Sequence, residues 1–319
     1  MQFLHIAFSD KPVKFFSPMN TEYKNLFEYY CSQSPYSDPK SFGYLFDGLP
    51  QSLEKLVKIV QGLIIHRDAT NLYGFEVPME RLAEAQTRYV EKILEHISEL
   101  DNSEIKMVRK PEKKFVGICR DFAILLCALL RHKAISARVR CGFADYFIPG
   151  KYEDHWICEY WNAEKERWIF VDPEIDEVIA KCYKISFNPL AVSSKSFLTA
   201  GRAWQMCRNG KADPNNFGVS MIDIKGLWFV LGSVLRDLAA LNKVEVLPWD
   251  YWGISDKNFD TLDEEELNLI DRVVALTADF DNVCFQEIQQ LYENDRRLKA
   301  SAEIKSYTGI DQYQMVKIY

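Results

Sequence analysis

The sequence predicts an α+β fold. Three observations carry that prediction: helical periodicity through the first hundred residues, a central apolar helix giving way to strand-like runs, and a return to helical patterning near residue 196. In the first region, Thr21 to Tyr30, Gln51 to His66 and Pro78 to Leu100 space their apolar residues as helices do. The charged, Pro-containing stretch from Ile105 to Lys114 (IKMVRKPEKK) interrupts that spacing and suits an exposed connection. From Val116 an apolar helix is expected to about His132, then strands over Ser136 to Phe147, His155 to Trp161 and Trp168 to Val171. Helices are expected again over Ser196 to Asn209, Gly226 to Asn242 and Thr261 to Phe280, the last opened by a capping box of Thr261 and Glu264. From Glu303 no regular pattern emerges, and no internal repeat supports a solenoid. The expected organisation is a helical N-terminal region over 1–110, a mixed core over 111–190, and a mainly helical extension over 191–319 packed on that core.

Composition narrows the function. With 319 residues, 48% of them hydrophobic, the chain fills a sizeable core. A formal charge of -7 and a pI near 5.4 give no global positive field, so neither nucleic acid nor an anionic membrane is an expected partner. The start, MQFLHIAFSDKPVKFF, lacks the basic and apolar regions of a signal peptide, and no apolar run is long enough to span a bilayer. The eight cysteines (31, 119, 127, 141, 158, 182, 207, 284) follow no framework spacing, which suits a reducing cytoplasm. There is no C-x-x-C pair, and the five histidines show no H-x-x-x-H spacing, so neither a metal nor a cofactor is expected.

The chemistry concentrates between Gly117 and Asp172. Cys119 opens a helix whose continuation, DFAILLCALL, is apolar nearly all round, as a helix at the centre of a fold would be. At a helix N-terminus the unpaired N–H groups and the macrodipole favour a thiolate over a thiol of ordinary pKa about 8.5. The backbone N–H of Cys119 can also bind an oxyanion, with Gly117 leaving room for a substrate. A thiolate needs a proton partner, and His155 in DHWICEYW is the only histidine after the helix. The next strand, WIFVDP, ends in Asp172. If the two strands form a hairpin centred on Ala163 and Glu164, His155 falls opposite Asp172, with Cβ atoms about 5 Å apart on one face. Each residue alone has an ordinary structural explanation: core Cys, half-buried His, turn Asp. Together they satisfy the logic of nucleophile, base and orienter.

The blocks GICRDFAILLCALLRHKAISARVRCGF, DHWICEYW and WIFVDPE resemble the core of the transglutaminase-like superfamily, in that family's order and closest to its bacterial branch. The resemblance implies a papain-like catalytic core at 111–190, with a buried Cys-bearing helix packed on an antiparallel sheet. Within it, Cys119 would be nucleophile, His155 general base and acid, and Asp172 orienter. The core is also similar to that of peptide:N-glycanases, whose paired C-x-x-C zinc motifs are missing here. Trp204, Asp213, Phe217, Arg236, Asp237, Trp249, Asp250 and Trp252, in the extension, are candidate groove residues, though aromatic residues in such places are more often core clamps. His66 is a candidate second oxyanion donor, with a helix-terminal histidine the competing reading. Arg120 and Asp121 are expected to tie down the helix start.

The expected reaction is thiolate attack on an amide or carboxamide through a thioester, with hydrolysis (peptidase or amidase) favoured over amine transfer because no calcium loop of the EF-hand kind is present. The substrate would be a peptide, a protein or a small amide. The competing class is a non-catalytic binding module that keeps the fold. A redox thiol ranks last, since Cys127 lies two helical turns from Cys119, beyond the roughly 4.4–6.8 Å Cα spacing of a disulfide. The sequence leaves the oligomeric state open.

Overall fold

The computed structural model describes residues 21–279, 285–309 and 312–318; the N-terminal stretch read for a leader and the helical end expected at Phe280 lie outside them. The chain begins with α1 (Thr21–Cys31) and α2 (Leu53–Leu63). α2 stops three residues short of His66. Ile64 and Ile65 join His66 in β1 (Ile64–His66), which pairs in parallel with β2 (Phe115–Gly117). β-Branched side chains favour the pleated backbone, and a short apolar run cannot tell a helix end from a strand by its periodicity. The helix expected from Pro78 to Leu100 is likewise two elements. A 3-10 segment over Met79–Gln86 is separated by the extended backbone of Thr87 and Tyr89 from α3 (Val90–Leu100).

After β2 come α4 (Cys119–His132), β3 (Ala137–Ala144), β4 (Tyr152–Asn162), β5 (Arg167–Val171) and α5 (Glu177–Cys182). Then follow β6 (Phe197–Thr199), α6 (Ala200–Arg208), β7 (Phe217–Val219), β8 (Ile224–Lys225) and α7 (Leu227–Leu241). The chain closes with β9 (Asp250–Tyr251), α8 (Glu264–Thr277), α9 (Phe285–Asn294), β10 (Glu303–Gly309) and β11 (Gln312–Lys317). The cap of α8 is Asp263, whose carboxylate accepts from Glu266 N–H at 2.8 Å, so the box sits two residues beyond Thr261 and Glu264. The segment left unassigned beyond Glu303 is an antiparallel hairpin with β9 added to its edge.

The largest sheet has the order β6-β3-β4-β7-β8, with β5 also paired to β4. The β3–β6, β4–β5 and β7–β8 pairs are antiparallel; β4 and β7 run parallel over two residues. The fold is α+β. No helix among the described residues is long and apolar enough to cross a membrane.

By internal contacts the chain divides into two units. The first takes residues up to Arg138 together with Ile157–Val192. Its centre is α4, buried from Cys119 through Arg131 and ringed by α1, α2 and α3. α4 packs on the strands: the Cys127 and Cys158 sulfurs are 3.4 Å apart, and Arg131 donates to the Ala137 carbonyl at 3.0 Å. Arg138 bonds Glu159 at 2.6 Å with its guanidinium 3.9 Å from the Trp168 ring, which satisfies a buried charge on two sides. The second unit takes Val139–Trp156 and the chain from Ser193. Its central helix is α7, packed by α6 and α8. Arg140 and Asp237 form a buried bidentate pair at 2.8–2.9 Å, and Asp237 also accepts the Cys141 N–H.

Candidate active site

In the first unit the site grows from the turn between β2 and α4. β2 is held along one edge by β1 and elsewhere by the Arg81–Glu84 pair: Arg81 donates to the Lys114 carbonyl at 2.6 Å, and Glu84 accepts Val116 N–H at 2.8 Å. At the helix start Asp121 accepts Ile118 N–H at 3.0 Å, which caps α4 from inside, and pairs with Arg120 at 3.1 Å. Arg120 in turn donates to the Arg88 carbonyl at 2.6 Å. Burial pushes the Asp121 carboxyl up, and Arg120 and the Ile118 N–H bond pull it back. Both residues are structural, as the sequence suggested. Gly117 is also fixed by packing. A Cβ there would stand 2.9 Å from Asp121 Oδ2 and 3.0 Å from Ile64 Cγ2, so the packing of the turn by itself requires glycine.

Cys119 is therefore the first residue of a buried, internally capped helix, with 7% of its surface exposed. The β1–β2 register places His66 level with Gly117, two residues before it. A ring nitrogen of His66, the Cys119 sulfur and a carboxylate oxygen of Glu174 all lie within 4.8 Å of one another. His66 is thus a strand-end residue beside the cysteine, and the helix-terminal reading of it is corrected. Its Nδ1 accepts Asp68 N–H at 3.2 Å, so in the neutral ring the proton sits on Nε2. Sulfur, nitrogen and carboxylate are also the donors of a transition-metal site. With Nδ1 engaged by an amide, only Nε2 is left to bind an ion; a neutral ring ligating there carries its proton at Nδ1, facing Asp68 N–H. The trio suits hydrogen bonding better than ligation.

Asp172 is fully buried just past β5; its N–H donates to the Pro189 carbonyl at 2.9 Å and its Oδ1 accepts Glu174 N–H at 3.0 Å. The following loop is pinned by Gln61, which donates to the carbonyls of Pro173 and Ile175 at 3.2 and 3.0 Å, and by Tyr73, whose hydroxyl donates to Asp176 at 2.8 Å. Burial, then Asp176, drive the Tyr73 hydroxyl well above its usual range. The hairpin register differs from the expected one. Cys158 faces Val171 and Asn162 faces Arg167, so the loop is the four residues 163–166 and Asp172 comes level with Ile157, not His155. The shift is two residues, so parity is kept: side chains at 155 and 157 project from the same face of β4. Asn162 Oδ1 accepts Lys165 N–H at 2.8 Å and Glu166 takes a left-handed φ of 48°, a longer turn than the centred one assumed.

His155 belongs to the second unit, in the first half of β4. It is buried, with the Phe147 and Tyr146 rings edge-on at 5.0 and 6.0 Å. The preceding Asp154 has its carboxyl pushed up to about 6 by burial, with Arg236 and His155 pulling the other way. Most groove candidates of the extension are core clamps. Trp204 donates to Asp271 at 2.6 Å, Trp252 to the Leu298 carbonyl at 2.8 Å, Phe217 stacks on Tyr152, and Arg236 lies against Tyr251 and Phe229. Asp250 accepts Leu247 N–H, and Asp213 caps a 3-10 turn. A surface hollow of about 500 Å³ in this unit, bordered by Lys225, Trp228, Lys257 and Phe259, includes none of the expected site residues.

Residues 75–173 match the family model described as the transglutaminase-like superfamily. A solved structure of a candidate cysteine protease from Cytophaga hutchinsonii is similar over 46% of this chain and 42% of its own, at 20% identity and a TM-score of 0.29. The chain thus spans less than half of that protein. No curated protein matches.

Proposed function

We propose, from the premise that residues 75–173 are a transglutaminase-like core, that this protein is a cysteine enzyme acting on an amide or carboxamide through a thioester. The observation that carries the reading is the place of Cys119: the first residue of a buried helix whose start is locked by Asp121 and Arg120. A thiol there meets the helix N–H groups and the positive end of the dipole, which favour the thiolate and the oxyanion it generates. In this reading His155 takes and returns the proton, and Asp172 orients it. Sulfur adds to the carbonyl carbon, the amine leaves with the proton, and water then cleaves the thioester. Hydrolysis of a peptide, protein or small-amide bond is preferred to amine transfer.

The test is the iodoacetamide labelling rate of each of the eight cysteines against pH, read by mass spectrometry, with His155→Ala alongside. The fold supplies slow internal controls. Burial pushes the thiols of Cys141 and Cys158 well above their usual range and that of Cys207 up to about 11. Cys119 is expected to label fastest below about pH 7 and to slow in His155→Ala. A Cys119 as slow as the buried thiols would replace the enzyme with a binding module that keeps the fold.

A further inference from the structure

Resting on the nucleophile reading of Cys119, we infer that His66 is a further catalytic residue: its Nε2–H is the second donor to the oxyanion formed when Cys119 attacks a carbonyl. Three observations meet on it. The first is position. A ring nitrogen of His66 lies within 4.8 Å of the Cys119 sulfur, and an oxyanion is born only two bonds from that sulfur. The second is protonation. Nδ1 accepts the Asp68 amide, a role open only to the neutral ring, which then carries its proton on Nε2 as a donor. To take the thiol proton at Nδ1, His66 would have to break that bond, so proton transfer stays with His155. A neutral imidazole polarising a carbonyl while a separate group moves the proton is a known division of labour.

The third observation is support. His66 is partly open to solvent, yet its backbone is fixed on two sides. His66 is in register with Gly117, and Arg67 N–H donates to the Gly117 carbonyl at 2.8 Å. Glu174, the third member of the trio, is buried on a loop that Gln61 clamps at both flanking carbonyls. Donors held in this way need no reorganisation when charge develops.

The step balances without a co-reactant. The thiolate pair forms the S–C bond while the carbonyl π pair moves to oxygen, where Nε2–H and Cys119 N–H bind it. Collapse restores the carbonyl and expels the leaving group, giving the thioester. Water then adds, its proton passing to His155, and the C–S bond breaks to return thiolate and carboxylic acid.

The whole chain is tested with two probes of one sulfur. p-Nitrophenyl acetate acylates through an oxyanion; iodoacetamide alkylates without one. His66→Ala is expected to lower the p-nitrophenolate burst rate by about 10²–10³-fold while iodoacetamide alkylation of Cys119 stays within about twofold. His66→Gln, which keeps an N–H donor, should recover at least about tenfold of the loss. Should His66→Ala not fold, His66→Phe, a ring without the donor, takes its place with the same expectation. An unchanged ester rate, or ester and alkylation rates falling together, overturns the inference while leaving the nucleophile in place. A wild-type burst no larger than that of Cys119→Ala removes the nucleophile reading and this inference with it.

Discussion

At Asp154, burial holds the carboxyl up to about 6 against an ordinary 3.8, with Arg236 and His155 opposing and Glu153 adding to the rise. Among the described residues its Oδ1 has no hydrogen-bond partner, so no hydrogen bond offsets the desolvation of that oxygen. An acid whose pKa is raised in the folded state holds its proton more tightly there than when unfolded. Its contribution to stability is therefore full below about pH 4 and lost as pH rises through about 6. The rise from 3.8 to about 6 corresponds to at most about 3 kcal/mol between those limits. Asp154→Asn should remove that limb, so wild type and variant should differ most in urea midpoint at pH 7 and converge or cross near pH 4. Parallel midpoints across the range would mean the carboxyl is not held as described. At this same scale the sequence was only partly readable. Cys119 at a helix start could be seen in GICRDF followed by an apolar run, whereas the place of His66 depended on Ile64 and Ile65 leaving the helix for a parallel partner fifty residues away. Glu174 carried no sequence mark, because what brings it to the cysteine is the Gln61 clamp, a contact between residues more than a hundred positions apart.

At the scale of elements, the turn from β2 into α4 is the feature on which the candidate site depends. Its glycine is not interchangeable. A Cβ at Gly117 meets Asp121 Oδ2 and Ile64 Cγ2 at once, and Asp121 cannot retreat without releasing Ile118 N–H and leaving Arg120 buried beside a displaced charge. Gly117→Ala should cost about 1–3 kcal/mol in urea unfolding and slow Cys119 labelling, because the helix start shifts with it. A variant with unaltered stability and labelling would show the turn to be looser than the packing implies. The hairpin that follows shows what local pattern does and does not fix. Alternation in DHWICEYW and WIFVDP marked both strands and the correct face, since parity survives a shift of two. The register itself was set by Asn162 and the left-handed Glu166, turn chemistry that a centred loop ignores. The capping residue of α8 was missed for a similar reason: Thr261 and Asp263 both match the pattern, and the backbone chose the later one.

At the scale of the whole molecule, the chain passes between its two units inside strands. Residues 139–156 lie in the middle of the sequence but take their partners from the C-terminal part: β3 pairs with β6, β4 pairs with β7 at Tyr152, and Arg140 pairs with Asp237 on α7. A fragment of residues 1–192 would keep every residue of the first unit and strip this segment of all three. Arg140, buried to within 1% of its surface, would lose its carboxylate, a loss of about 3–5 kcal/mol for a buried pair. Phe143, edge-on to Phe217 and Phe229, would be laid open along with two unpaired strand edges. That deficit is comparable to the whole stability of a small domain. The fragment is therefore expected to show no cooperative thermal transition by circular dichroism and to aggregate, while the full chain melts cooperatively. A fragment 1–192 that unfolds cooperatively would mean that β3 and β4 are held well enough by their first-unit halves alone, and that the C-terminal helices add to the core without completing it.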